Sequence, residues 1–196
     1  MTFVFKGCTV IVTIKRATNV RLAYLGGSRE RASPALGVKL GVSGMLFGEY
    51  YQQIDEKGRV RIPARLKPQL LEPVMITKGT NGCLFLFSAN EWNENLAKKL
   101  STVPFSDIPV QRAVRTFFSS ADQLETDNQG RSLLPRNLRE FAGIKKDIVF
   151  IGVGNRAEVW SREVYDAYMK GETAKNVEKD ALSYDKTVAE LNKYGI

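Results

Sequence analysis

From Met45 onward the apolar positions fall into short runs of alternating period, broken by turn residues and interleaved with brief stretches of helical period. Residues 50–55, YYQQID, read as a strand, Glu56-Lys57-Gly58 as a turn, and residues 59–62, RVRI, as a second strand with Val60 and Ile62 on one face. Gly58 supplies the positive φ that a tight hairpin turn needs. Pro63 suits the first turn of a short helix, PARLKPQLL, because its missing N–H would be unpaired there in any case. Two further strands, VMIT and CLFLF, flank the turn KGTNG. Ser88 and Glu91 then form an S-x-x-E capping box that opens a helix running to about Leu100.

The pattern then returns. DEKGRVRIP, residues 55–63, recurs as DNQGRSLLP, residues 127–135, an offset of 72, with Asp, Gly, Arg and Pro on identical slots and Leu134 in place of Ile62. Such recurrence marks a repeated structural unit. In the second copy DNQG is the turn, RSLL the strand, and PRNLREFA the helix, with Gly143 as its C-cap. DIVFIGV and AEVW form a strand pair around Gly154-Asn155, and Ser161 caps REVYDAYMK. The GVG at 152–154 is a hairpin turn, since no helix follows it as a dinucleotide loop requires.

Between the copies, PVQRAVRTFFSSA is a linking helix with Val110, Val114 and Phe117–Phe118 on its apolar side. Trp92, Trp160, Phe85 and Phe87 are core candidates. In the tail, Ala174, Val177, Ala181, Tyr184, Val188 and Leu191 recur at a spacing of 3–4. That seam packs on the body or on a neighbouring subunit, or else belongs to a marginal surface helix. The expected architecture is α+β and β-rich: a first unit over 45–100, a linking helix over 101–120, a second unit over 121–170 and a helical tail over 171–196.

Residues 1–44 differ. A β-like run, TVIVTI, precedes a basic stretch containing Gly, Ser and Pro, with no small-residue cleavage pattern of a secretory signal. We expect Met45 to be the functional start and 1–44 to be a non-native or disordered extension, the alternative being a flexible DNA-binding arm.

Charge sharpens the picture. The chain of 196 residues carries a net +8, of which 1–44 supply +6, with seven basic side chains against one Glu. The remainder is near neutral, 22 basic against 20 acidic. Within it, residues 55–67 hold five basic side chains against two acidic, and residues 131–146 five against one. The basic patches of the body therefore sit on the repeated motifs. No apolar run approaches the ~18 residues of a membrane span. Cys8 and Cys83 have neither metal-type spacing nor a disulfide framework. The chain has no histidine, which removes the commonest general base, the serine and cysteine triads and most zinc sites. No enzyme motif and no cofactor motif stands out.

Each turn brings Asp55 close to Arg59, and Asp127 close to Arg131. A local ion pair that merely fixes the turn is one reading, worth about 0–1 kcal/mol when exposed. Three features favour DNA instead: the pair occurs twice, each copy lies in a basic patch, and arginine's planar fork suits guanine edges and phosphates. A carboxylate beside the fork can steady it. Lys57, Arg61, Arg65 and Lys67, and in the second copy Arg136, Arg139, Lys145 and Lys146, are candidate phosphate contacts.

Two copies of D-x-x-G-R followed by an apolar pair and Pro resemble the MraZ family of bacterial transcriptional regulators. MLFGEYYQQIDEKGRVRIPARL is similar to the start of that family, and residues 109–160 to its linker and second repeat. The resemblance implies two units related to the AbrB and SpoVT swapped-hairpin fold, arranged as a double-split β-barrel. It implies a ring-shaped homo-oligomer, octamer or larger, and binding to double-stranded DNA at G-rich direct repeats. Those repeats would lie upstream of the division and cell-wall gene cluster, including the protein's own promoter. The DNA-facing residues it implies are Asp55, Arg59, Asp127 and Arg131, with Lys57 making the first turn the more basic, and a cytoplasmic, nucleoid-associated location follows. The rival is a ring-forming structural or protein-interaction module whose Asp–Arg pairs bridge subunits.

Overall fold

The computed structural model describes residues 45–70, 72–172 and 181–196 in full, and 2–5, 8–15, 19–24 and 179–180 by backbone alone. The chain divides into two compact units, residues 1–41 and 42–196. The first is a three-stranded antiparallel sheet of β1 (Thr2–Phe5), β2 (Cys8–Lys15) and β3 (Asn19–Tyr24) in that order, with TVIVTI inside β2.

The second unit mixes helix and sheet. Strands β4 (Leu46–Gln53), β6 (Val74–Lys78), β7 (Leu84–Ser88), β8 (Asp122–Leu124), β10 (Asp147–Gly154) and β11 (Arg156–Ser161) form one antiparallel sheet. Its order is β4-β10-β11-β7-β6-β8, and β5 (Arg59–Val60) and β9 (Ser132–Leu133) form a separate ladder. The two halves exchange strands. β4 pairs along its whole length with β10, from Gln53↔Asp147 to Leu46↔Gly154, while β8 pairs with β6. The sheet stays open, with β4 and β8 as its edges, so it is not a closed barrel among the described residues.

The hairpin expected between YYQQID and RVRI takes a different form. β4 does not pair with β5; β5 crosses to β9, matching Arg59 to Leu133 and Val60 to Ser132. The turn itself closes locally, Asp55 N donating to Arg59 O at 2.9 Å and Gly58 N to Asp55 O at 2.9 Å. The crossing follows from burial. Val60, Ile62, Leu66 and Leu70 of one half share a single core with Leu134, Leu138, Phe141 and Ile144 of the other. Each such side chain contributes about 1.5–3 kcal/mol when taken out of water, which binds the halves into one folding unit.

Helices follow the expected places with local differences. Pro63 begins a turn that leads into α1 (Lys67–Leu70), its carbonyl accepting from Leu66 N at 2.9 Å. A π-helical segment, Glu91–Ala97, runs into α2 (Lys98–Ser101). Only half of the capping box forms: Glu91 N donates to Ser88 Oγ at 3.2 Å, but the Glu91 carboxylate accepts from Asn95 and Asn155 instead of returning to Ser88. The linking helix α3 (Ile108–Ser119) is capped by Asp107 and buries Val110, Ala113 and Phe117, with Phe118 turned partly to solvent. Trp92 stacks on Phe117 with ring centroids 5.5 Å apart.

α4 (Arg136–Phe141) ends through Gly143, at φ 60°, with Ile144 N donating to Arg139 O. Ser161 precedes α5 (Arg162–Met169) but makes no side-chain cap bond. In the tail, α6 (Lys179–Val188) and the 3-10 turn Ala189–Tyr194 bury Ala181, Tyr184 and Leu191 against the chain's own body. The Tyr184 hydroxyl donates to Lys78 O at 2.7 Å. Ala174 and Val177 lie outside the described residues.

Candidate nucleic-acid interface

Each motif turn is built around its aspartate. Asp55 Oδ1 accepts from the backbone N–H of Lys57 at 3.0 Å and of Arg59 at 2.8 Å. Its Oδ2 accepts from Arg59 Nε at 2.8 Å, with Nη2 also at 2.8 Å. Asp127 does the same with Gln129 N (2.9 Å), Arg131 N (2.9 Å), Arg131 Nε (2.9 Å) and Nη2 (2.8 Å). Gly58 and Gly130 take φ of 83° and 71°, the left-handed conformation that lets five residues close so tightly. Both carboxyls titrate low because they accept bonds as anions. The Arg59 backbone N–H, then its guanidinium, hold Asp55 below the usual carboxylate range. The Arg131 N–H, then its guanidinium, hold Asp127 at about 2.

The two copies, 72 residues apart in the chain, meet. Arg59 Nη1 lies 3.8 Å from Asp127 Oδ2, and Arg131 Nη1 lies 3.9 Å from Asp55 Oδ2. The β5–β9 pairing sets this arrangement, since Val60 opposite Ser132 is a pairing of equivalent slots. Two aspartates and two arginines thus form one electrically balanced cluster across a pseudo-two-fold relation.

Strand alternation decides what the ladder shows to solvent. Val60, Ile62, Ser132 and Leu134 are buried. Arg61 and Leu133 are exposed, and Arg59 and Arg131 are partly so. Each guanidinium is anchored through Nε and Nη2, while Nη1 stands 3.8 Å (Arg59) or 3.9 Å (Arg131) from the other copy's carboxylate, beyond hydrogen-bond reach, which leaves its N–H donors to address an acceptor. Lys57, Arg61, Arg65 and Lys67 of the first copy are all exposed.

Of the other basic candidates, Arg136 is tied to Glu140 at 2.7 Å, and Lys145 and Lys146 are exposed. Arg139 reaches across to the first copy. It donates from Nε to Leu134 O at 3.1 Å, and a Cβ on Gly58 would lie 2.7 Å from its Cζ. Its counterpart 72 residues earlier, Lys67, reaches the second copy, with Nζ 3.4 Å from where a Cβ on Gly130 would stand. Reading each motif separately misses this exchange, although the shared offset of 72 was the signal for it.

The fold and the site define a class: one chain built from two interlocked copies of a small mixed unit, joined at a doubled Asp–Arg motif on a basic face. A family model described as "MraZ protein, putative antitoxin-like" matches the chain twice, over residues 45–116 and 117–185. The chain belongs to the MraZ family. Among its relatives, the "Transcriptional regulator MraZ" of Acetivibrio thermocellus is 47% identical over 124 residues, covering 63% of this chain and 86% of the relative. The protein of that name from Clostridium botulinum (strain Alaska E43 / Type E3) is 41% identical over 152 residues, 78% of this chain and 100% of the relative. These relatives carry the name of regulators, not of enzymes.

Proposed function

We propose that the chain is a sequence-specific transcriptional regulator that binds double-stranded DNA through the β5–β9 ladder. Arg59 and Arg131 read base edges, Asp55 and Asp127 hold their forks in position, and Lys57 and Arg61 meet phosphates. The observation that carries this reading is the joining of both Asp–Arg motifs into one cluster on the outward face of a two-stranded ribbon. Such a ribbon fits the major groove, where guanine offers O6 and N7 to a fork, so G-rich duplex is the substrate class. The family resemblance extends the reading to direct repeats upstream of the division and cell-wall gene cluster, the chain's own promoter included, and to action in the cytoplasm at the nucleoid.

The strand exchange supports the reading of two swapped-hairpin units that together make a double-split barrel. Two open sheet edges, β4 and β8, together with exposed Phe47 and Tyr51 on β4, favour closure of several chains into a ring of eight or more. The rival, in which Asp–Arg pairs bridge subunits, is weakened because both pairs are satisfied within one chain. A titration against DNA from upstream of the chain's own gene, beside a scrambled duplex, tests the proposal. Tighter binding to the upstream DNA is expected, with affinity falling steeply as salt rises. Equal, salt-insensitive affinities for the two duplexes would refute it.

A further inference from the structure

The two arms of the ladder share a geometry but not a chemistry. At an offset of 72, exposed Lys57, Arg61 and Arg65 correspond to Gln129, Leu133 and Asn137. The outward face of the ladder therefore presents Arg59, Arg61 and Arg131, and in the fourth slot a leucine. Leu133 is 51% exposed, although Ser132 and Leu134 on either side of it are buried. It stands directly opposite Arg59 in the ladder, and cross-strand partners in such a pair have Cβ atoms about 4.5–5.5 Å apart on one face. About half of this leucine is open to solvent, and it belongs to none of the buried hydrophobic clusters among the described residues.

Resting on the reading of this face as the DNA contact, we propose that Leu133 is a specificity-determining residue that packs on the 5-methyl group of a thymine. In the major groove the thymine methyl is the apolar feature that lies level with the guanine acceptors an arginine fork addresses. A ribbon with Arg59 and Leu133 side by side reads a guanine and a neighbouring thymine together. Because the equivalent slot of the first arm holds Arg61, the element read by one chain lacks dyad symmetry and is bound in one orientation. Lys57, Arg61 and Arg65 pull their arm onto phosphates, and the second arm, uncharged at those three slots, supplies the apolar contact.

Selection from a random duplex pool with the full chain, Leu133→Ala and Leu133→Arg tests this, with circular dichroism and sizing to verify each fold. The parent should enrich an asymmetric element with a fixed thymine beside guanine, and Leu133→Ala should lose the preference at that position alone. Replacing that thymine with deoxyuracil should weaken the parent about fourfold, the change that accompanies one methyl-sized group leaving water, and leave Leu133→Ala unaffected. Leu133→Arg should drop the thymine preference as well. An unchanged thymine preference in Leu133→Ala, or a parent element with no fixed thymine, overturns the assignment of Leu133 and leaves the DNA-binding reading standing. If none of the three proteins enriches any element, the DNA-binding reading falls with it.

Discussion

Replacing Arg59 with alanine removes a guanidinium that would both read a base and balance two carboxylates. The fold should survive the change, because the turn is closed without the guanidinium: Asp55 N donates to Arg59 O, Gly58 N to Asp55 O, and Arg59 N to Asp55 Oδ1. The binding loss has two sources. A bidentate base contact discriminates by about 1–3 kcal/mol, which is about 5- to 150-fold in affinity. In addition, Asp55 and Asp127 would face DNA with only Arg131 between them, so the cluster turns from neutral to net negative. Arg59→Lys restores the charge but not the planar fork, and should recover little at moderate salt. Asp55→Ala alone should weaken binding less than Arg59→Ala, since it loosens the turn and the arginine but leaves the guanidinium in place. Added to Arg59→Ala, it should restore part of the affinity by removing the orphaned carboxylate, so the two changes are non-additive. Fluorescence anisotropy on cognate repeats at fixed salt measures the cycle, with circular dichroism and sizing as fold checks. If folded, assembled Arg59→Ala binds as tightly as the parent, the cluster is a structural clip and the reasoning fails.

The remaining predictions address the frame around the cluster. Asp127, held at about 2, should contribute stability that is full above the ordinary carboxylate value near ~3.9 and lost as pH falls through about 2; an NMR titration of its carboxyl near 4 would contradict this. Gly58→Ala should cost about 1–2 kcal/mol for the left-handed backbone plus displacement of Arg139, whereas Gly130→Ala, whose nearest neighbour is the mobile end of Lys67, should cost the backbone share alone. Equal losses in chemical denaturation would show that Arg139 yields freely. Tyr184→Ala should destabilise by about 3–5 kcal/mol as a large buried aromatic, and a neutral result would detach the tail from the core. A chain beginning at Met45 should match the full chain in DNA affinity; a large loss of affinity would give residues 1–44 the role of a DNA-binding arm.

The turns were legible because their chemistry is local. Asp, Gly and Arg within five residues dictate the side-chain-to-backbone bonds of each copy, and the alternation of Val60 and Ile62 identifies the inward face. What the alternation does not carry is the partner strand. β5 is two residues long, too short to hold register information of its own, and its pairing with β9 arises from the core shared by Val60, Ile62, Leu134 and Leu138. The meeting of Arg59 with Asp127 depends on that pairing and was hidden with it. The half-formed capping box has the same origin, since Glu91 finds Asn155, 64 residues away, a partner that tertiary packing alone supplies. Leu133 was visible as a departure from the repeat at the slot of Arg61, but its exposure beside Arg59 needed the ladder.

Guanine-N7 methylation interference on DNA from upstream of the chain's own gene probes the arginine–guanine contact itself, because a methyl at N7 blocks the acceptor an arginine fork needs. Methylated guanines within the bound element should drop out of the bound fraction, and Arg59→Ala should lose this interference at particular guanines while keeping it at others. Parent protein that binds N7-methylated repeats as well as unmodified ones would contradict that contact.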